Sequence, residues 1–156
     1  MTELKDRLRA DLSTAIKSQS TVTLATLRMA LSAITTEEVA GAAARELSDE
    51  EVLAVLAREA KKRREAAEAF AAAGRDELAT RERAEGEVLA RYLPVQLDDE
   101  EIAGVVVEAI DEVAGSLGKR PGLGQLGLVM KAAKARAGGR AEGKRLVNAV
   151  MAALQS

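Results

Sequence analysis

Asp98-Asp99-Glu100-Glu101-Ile102-Ala103-Gly104-Val105-Val106-Val107-Glu108-Ala109-Ile110-Asp111-Glu112-Val113 is the stretch that decides the fold. Its valines and isoleucines suit a pleated surface and invite a strand reading. The spacing rejects that reading. Ile102, Val105, Val106, Ala109, Ile110 and Val113 recur at i, i+3, i+4 and i+7, the period of one helical face rather than the period of two of a strand. The acids from Asp98 to Glu101 belong at the start of such a helix, with one acid three residues after the cap.

Working outward from this helix, the same period recurs. Upstream, a first helix starts after Thr2, with Leu4, Leu8, Leu12 and Ile16 along one side. Thr21 caps a second, marked by Leu24, Leu27, Leu31 and Ile34. Gly41-Ala42-Ala43-Ala44-Arg45 reads as a loop. Ser48-Asp49-Glu50-Glu51 is a capping box opening a helix to about Ala73, with Leu53, Leu56, Ala60, Ala67 and Phe70 on one face and Gly74 ending it. A fourth helix runs from about Asp76 to Arg91. Its middle, Arg81 to Glu87, is almost wholly polar, so its packing face is narrow.

Tyr92-Leu93-Pro94 closes this half, because proline lacks an amide donor and restricts the residue before it. Downstream, Gly115 to Gly122 is a loop. Two short helices follow: Gln125 to Ala137, with Leu126, Val129, Met130 and Ala133 inward, and Ala141 to Leu154, with Val147, Val150, Met151 and Leu154 inward. Gly138-Gly139 separates them. The expected architecture is all-α, an N-terminal four-helix domain over residues 1–94 joined to a C-terminal three-helix domain over residues 95–156.

Composition narrows the chemistry. Hydrophobic residues make up 47% of the 156, but much of that share is alanine, with one Phe, one Tyr and no Trp. Cysteine and histidine are absent. Structural zinc sites, thiol nucleophiles and a Ser-His-Asp triad are therefore excluded, and the usual general base near neutral pH is missing. No catalytic residue is identifiable, and neither a metal nor a cofactor is expected. The start, Met1-Thr2-Glu3-Leu4-Lys5-Asp6-Arg7, lacks the apolar run of a signal peptide, and no stretch approaches the roughly 20 apolar residues that span a bilayer. A cytoplasmic location without membrane attachment is the expectation.

A net charge of −2 conceals an uneven distribution. Residues 95–116 carry seven acidic side chains and no basic ones. Residues 117–156 carry one acid, Glu142, against eight bases: Lys119, Arg120, Lys131, Lys134, Arg136, Arg140, Lys144 and Arg145. A local field of one sign steers a polyanion whatever the overall charge. These eight are the candidate RNA-binding residues. A second charged stretch, with Arg58, Lys61, Lys62 and Arg64 on the long third helix, is a candidate protein interface; its other reading is a solvated face supported by i, i+4 pairs.

Two glycine motifs do not carry chemistry. Gly122-Leu123-Gly124-Gln125-Leu126-Gly127 matches GxGxxG, but a helix rather than a strand precedes it. Gly138-Gly139-Arg140-Ala141-Glu142-Gly143-Lys144-Arg145 matches a P-loop until its last position, where Arg145 cannot hold magnesium as Ser or Thr does. An anion can still meet the amides near Arg140 and Ala141 at a helix start. The paired acids at Asp49 to Glu51 and Asp98 to Glu101 read as helix-start residues rather than acid/base pairs.

Several stretches together resemble the GatB/YqeY family, specifically its free-standing YqeY-type proteins: Thr26-Leu27-Arg28-Met29, Glu59-Ala60-Lys61-Lys62-Arg63-Arg64-Glu65, Phe70-Ala71-Ala72-Ala73-Gly74-Arg75-Asp76-Glu77-Leu78 and Glu87 through Leu97. Gly127-Leu128-Val129-Met130-Lys131 and Gly139-Arg140-Ala141-Glu142-Gly143, leading to Val147-Asn148, add to them. The Tyr92-Leu93-Pro94-Val95-Gln96-Leu97 joint is the strongest mark. Departures occur at Glu142, where the family often has Asp, and at Leu126-Gly127-Leu128, where it commonly has Met-Gly-Lys.

The resemblance implies an all-α fold of two parts, similar to the helical and tail regions of the B subunit of glutamine-dependent aspartyl/glutamyl-tRNA amidotransferase. There the tail resembles a tRNA-contacting module, while chemistry lies in another domain and a partner subunit. The functional expectation is accordingly a tRNA-binding or tRNA-associated module. The alternative is a helical adaptor docking on an amidotransferase or aminoacyl-tRNA synthetase. A third reading is carbon–nitrogen ligation with glutamine as amide donor, only as part of a complex.

Overall fold

The computed structural model describes residues 3–156, and among them every regular element is helical. The all-α expectation is correct. The chain divides into two compact units, Met1–Leu93 and Pro94–Ser156.

The first unit contains α1 (Glu3–Ser18), α2 (Thr21–Glu38), α3 (Asp49–Ala72) and α4 (Asp76–Ala90). Its core is Leu8, Leu27, Ala30, Ile34, Leu47, Val52, Val55, Leu56, Val88, Leu89 and Tyr92. Burying one such aliphatic side chain stabilises the unit by about 1.5–3 kcal/mol. α1 departs from the expected face: it buries Lys5, Leu8 and Ala15, while Ile16 is 50% exposed. A spacing of four advances about 400° per step on a helix, so a run of leucines every four residues drifts off its face by about 40° each time. Three steps from Leu4 carry Ile16 into solvent.

Thr21 is not the cap of α2. Ser20 occupies that position, and its hydroxyl lies 3.0 Å from that of Ser18 instead of bonding a first-turn amide. The capping box at Ser48 forms: the Ser48 hydroxyl accepts from the Glu51 amide at 3.2 Å, and Glu51 accepts from the Ser48 amide at 3.2 Å. α3 buries Val52, Val55, Leu56, Arg63 and Ala67, a face turned from the expected one so that Leu53, Ala60 and Phe70 are only half-buried. α3 packs chiefly along α4, which supplies Ala79, Val88 and Leu89. Between Ala79 and Val88 the polar middle of α4 is met by a charge: the buried guanidinium of Arg63 lies 2.7 Å from Glu59 and 3.6 Å from Glu85.

The second unit contains α5 (Asp99–Leu117), one 3₁₀ turn (Leu123–Gln125), α6 (Leu126–Ala137) and α7 (Gly143–Gln155). Asp98 caps α5 in a second capping box, accepting from the Glu101 amide at 2.7 Å. Ile102, Val106, Ala109, Ile110 and Val113 are buried as their period requires, with Val105 half-buried beside them. They meet Val129, Ala133 and Ala137 of α6 and Leu146, Val150 and Leu154 of α7. α7 begins at Gly143, two residues later than its sequence pattern suggests, and buries Leu146 rather than Met151, which is 36% exposed.

Both glycine motifs are turns. The Gly122 amide donates to the Gln125 side chain at 2.7 Å, closing the 3₁₀ turn that feeds α6. Gly138 and Gly139, at φ 59° and 79°, take the left-handed conformation that ends α6, a region where a side chain is strained.

Candidate nucleic-acid interface

The eight basic residues of the second unit fall into two sets distinguished by side-chain chemistry. All four arginines are engaged within the unit. Arg136 pairs with Glu108 at 3.0 Å and with Glu112 at 3.9 Å on α5. Arg120 donates to the Ala153 carbonyl at 3.0 Å near the end of α7. Arg140 donates to the Val95 carbonyl at 3.1 Å and lies 4.0 Å from Glu101. Arg145 donates to the Leu97 carbonyl at 3.0 Å and pairs with Asp99 at 2.7 Å.

The last two fasten the segment that enters α5. The Leu97 amide adds a bond of 2.7 Å to the Arg140 carbonyl, and Leu97 itself is buried in the core. A planar guanidinium with five donors suits this work, since it meets a carbonyl and a carboxylate at once. The residues that imitate a P-loop are therefore a clasp on the stretch Val95–Asp99.

Lys119, Lys131, Lys134 and Lys144 behave differently. Each is exposed, and none makes an ion pair or a side-chain hydrogen bond among the described residues. Lys131 and Lys134, three residues apart on α6, share one helix face. Over residues 94–156 eight acids and eight bases cancel in number. Because three of the arginines face acids of α5 and Arg120 is bonded to the Ala153 carbonyl, the uncommitted positive charge is the lysines'. Flexible ammonium groups of this kind contact phosphate oxygens as point charges and carry no base-reading geometry.

On α3 the candidate interface residues are partly committed as well. Arg58 pairs with Glu37 at 3.3 Å and Lys62 with Glu59 at 3.3 Å, while Lys61 and Arg64 are exposed and also interact within the chain. The solvated-face reading describes the first two pairs, in which Arg58 and Lys62 are 60% and 70% exposed. Arg63, in the same run, is the exception and is buried at 6%. Its position, seven residues after Leu56 and four before Ala67, is the signal that places it on the inner face.

Two further polar groups carry no such signal in the sequence. Lys5 lies 2.8 Å from both oxygens of Glu38, with side chains 10% and 12% exposed. The Lys5 hydrogen bond holds the Glu38 carboxyl below the usual carboxylate range, against the pull of burial and with help from the Leu47 amide at 3.3 Å. Tyr92 of the Tyr-Leu-Pro joint donates its hydroxyl to Asp11 and carries the Arg7 guanidinium 4.8 Å above its ring. Burial, and then Asp11, push the Tyr92 hydroxyl far above its ordinary range, so it is a donor at any physiological pH.

The model of the Yqey-like protein family matches residues 5–154, nearly the whole chain and every one of its helices. The chain belongs to the YqeY-like family. No curated protein matches it. In this YqeY-like chain the Tyr-Leu-Pro joint has a visible physical role: Tyr92 ties the end of α4 to α1, and Pro94 opens the second unit. Among its described residues no helix is long and apolar enough to cross a membrane, and no three acidic side chains gather as a metal site.

Proposed function

We propose that this YqeY-like chain is a tRNA-associated module of two domains, residues 1–94 and 95–156, in which the tail domain meets the RNA. The observation that carries the reading is the set of exposed lysines at 119, 131, 134 and 144, which have no partner among the described residues. The resemblance of the tail to the tRNA-contacting region of an amidotransferase B subunit supports it. Contact is with phosphates and with the shape of a folded RNA. A chain with one Phe and one Tyr, the latter buried, has no platform for stacking unpaired bases. Any amidation chemistry then belongs to a partner, an amidotransferase or a synthetase, and the working place is the cytoplasm.

Filter binding of the full chain to tRNA at two salt concentrations tests this. Phosphate contacts release counterions, so affinity falls as salt rises, with a slope of about 0.7–0.9 per contact on logarithmic axes. No binding at low salt, or binding indifferent to salt, overturns the proposal.

A further inference from the structure

In the first unit a recess of about 310 Å³ opens between α1, the start of α2 and the end of α4. Its wall includes Arg7, Arg91, Asp11, Tyr92 and the hydroxyl residue Thr23. This size lies at the small end of the range for small-molecule sites. Arg7 and Asp11 belong to no motif legible in the sequence, Arg91 stands just before the Tyr-Leu-Pro joint, and the lysine surface uses none of them.

The charges of the recess are unevenly committed. Its one carboxylate, Asp11, already accepts the Tyr92 hydroxyl. Among the described residues its two guanidiniums have no carboxylate partner. The Arg91 side chain makes no ion pair or hydrogen bond among the described residues, and Arg7 rests on the Tyr92 ring, a contact that orients it while leaving its N–H donors open. The Thr23 hydroxyl is also without a partner among the described residues. Two forks of donors and a hydroxyl on the wall of one recess match a group with several anionic oxygens, which guanidinium binds in bidentate fashion. Asp11 limits the choice. Its second oxygen repels further phosphates along a polyanion but accepts a hydroxyl, so a single phosphate on a hydroxylated carbon skeleton satisfies both sides.

We infer that this recess binds a small phosphomonoester, its phosphate held by Arg7, Arg91 and Thr23 and a hydroxyl held by Asp11. The site is independent of the RNA reading, since its residues lie in the first unit and the lysines in the second.

The test is a titration of the full, nitrogen-15-labelled chain with glycerol phosphate and, separately, inorganic phosphate, followed by amide and arginine side-chain resonances. Saturable shifts at Arg7, Arg91 and Thr23, with glycerol phosphate the tighter of the two, support the proposal. R91Q then weakens binding by about tenfold or more, the loss expected for a charge-assisted hydrogen bond. T23V weakens it less, and K131Q/K134Q leaves it unchanged. R91Q alters an exposed side chain, and its circular dichroism confirms the fold. Absence of a saturable shift with both probes overturns the proposal. So do shifts confined to the lysines of the second unit, tighter binding of inorganic phosphate than of the ester, or an R91Q chain that binds as well as the parent.

Discussion

A charge taken out of water must find its partner, and in this chain two such charges sit where an aliphatic side chain would otherwise fill the core. Arg63 is the clearer case, buried beside Glu59 and Glu85. Removing it leaves two half-buried carboxylates facing each other, so Arg63→Ala is expected to cost about 3–5 kcal/mol in urea unfolding, far more than the loss of packing at a surface arginine. Lys5 carried no signal in the sequence and Arg63 only its spacing from Leu56 and Ala67, because a lysine or arginine reads as solvent-facing until its partner, here 22 residues from Arg63 or 33 from Lys5, is known. Acid sensitivity follows from the carboxylates. The Arg45 side chain, followed by the Ser48 amide, holds Glu51 at about 2 against an ordinary 4.5. Between those values the unfolded chain binds more protons than the folded one, so stability rises with pH across that window and is lost as pH falls through it. Glu38, also lowered, acts in the same direction. Thermal unfolding followed from neutral pH down to about 2 is expected to show this decline, and Glu51→Gln to flatten part of it.

At the scale of the helix, ends were easier to read than faces. Ser48 and Asp98 each stand three residues before a glutamate, and both capping boxes form, because the box depends on a local spacing that no tertiary contact overrides. Asp98→Ala is expected to lower stability by about 1 kcal/mol in denaturant unfolding, the usual worth of an N-cap. Gly118 ends the same helix at φ 74°, in the left-handed region. Gly118→Ala is expected to cost about 1–2 kcal/mol although nothing lies within 4 Å of an added Cβ, so the loss is backbone strain and not a clash. Faces were less legible. In α1 and α7, alanines flank the leucines and valines, and an alanine carries so little apolar contrast that a face can rotate by one position at small cost. Ala15 in place of Ile16, and Leu146 in place of Met151, are that rotation made visible. α5 escaped it because its valines and isoleucines leave one inward arrangement.

Across the whole chain, the uneven charge that first suggested a polyanion partner divides into two sets, one committed within the fold and one exposed. The acids of residues 95–116 and the bases of residues 117–156 are plain in the sequence, but which bases the acids take is decided only by folding. Arg136, Arg140 and Arg145 took acids of α5 or the entry segment of backbone at Val95 and Leu97, Arg120 took the Ala153 carbonyl, and the lysines were left to solvent. This division makes the RNA proposal separable from stability. If the lysines meet phosphates, Lys131→Gln with Lys134→Gln is expected to weaken tRNA binding at low salt and to reduce the logarithmic salt slope by about one per lysine that meets a phosphate, with unfolding unchanged. Arg145→Gln is expected to do the reverse. It removes the bonds to Leu97 and Asp99, so unfolding shifts to lower denaturant and backbone exchange quickens near Leu97, while the salt slope is kept. Filter binding and urea unfolding on the two variants decide between the assignments. A salt slope that drops with Arg145→Gln and not with the lysine pair would mean that RNA displaces the clasp, and that the charges committed in the free chain are the ones the partner reads.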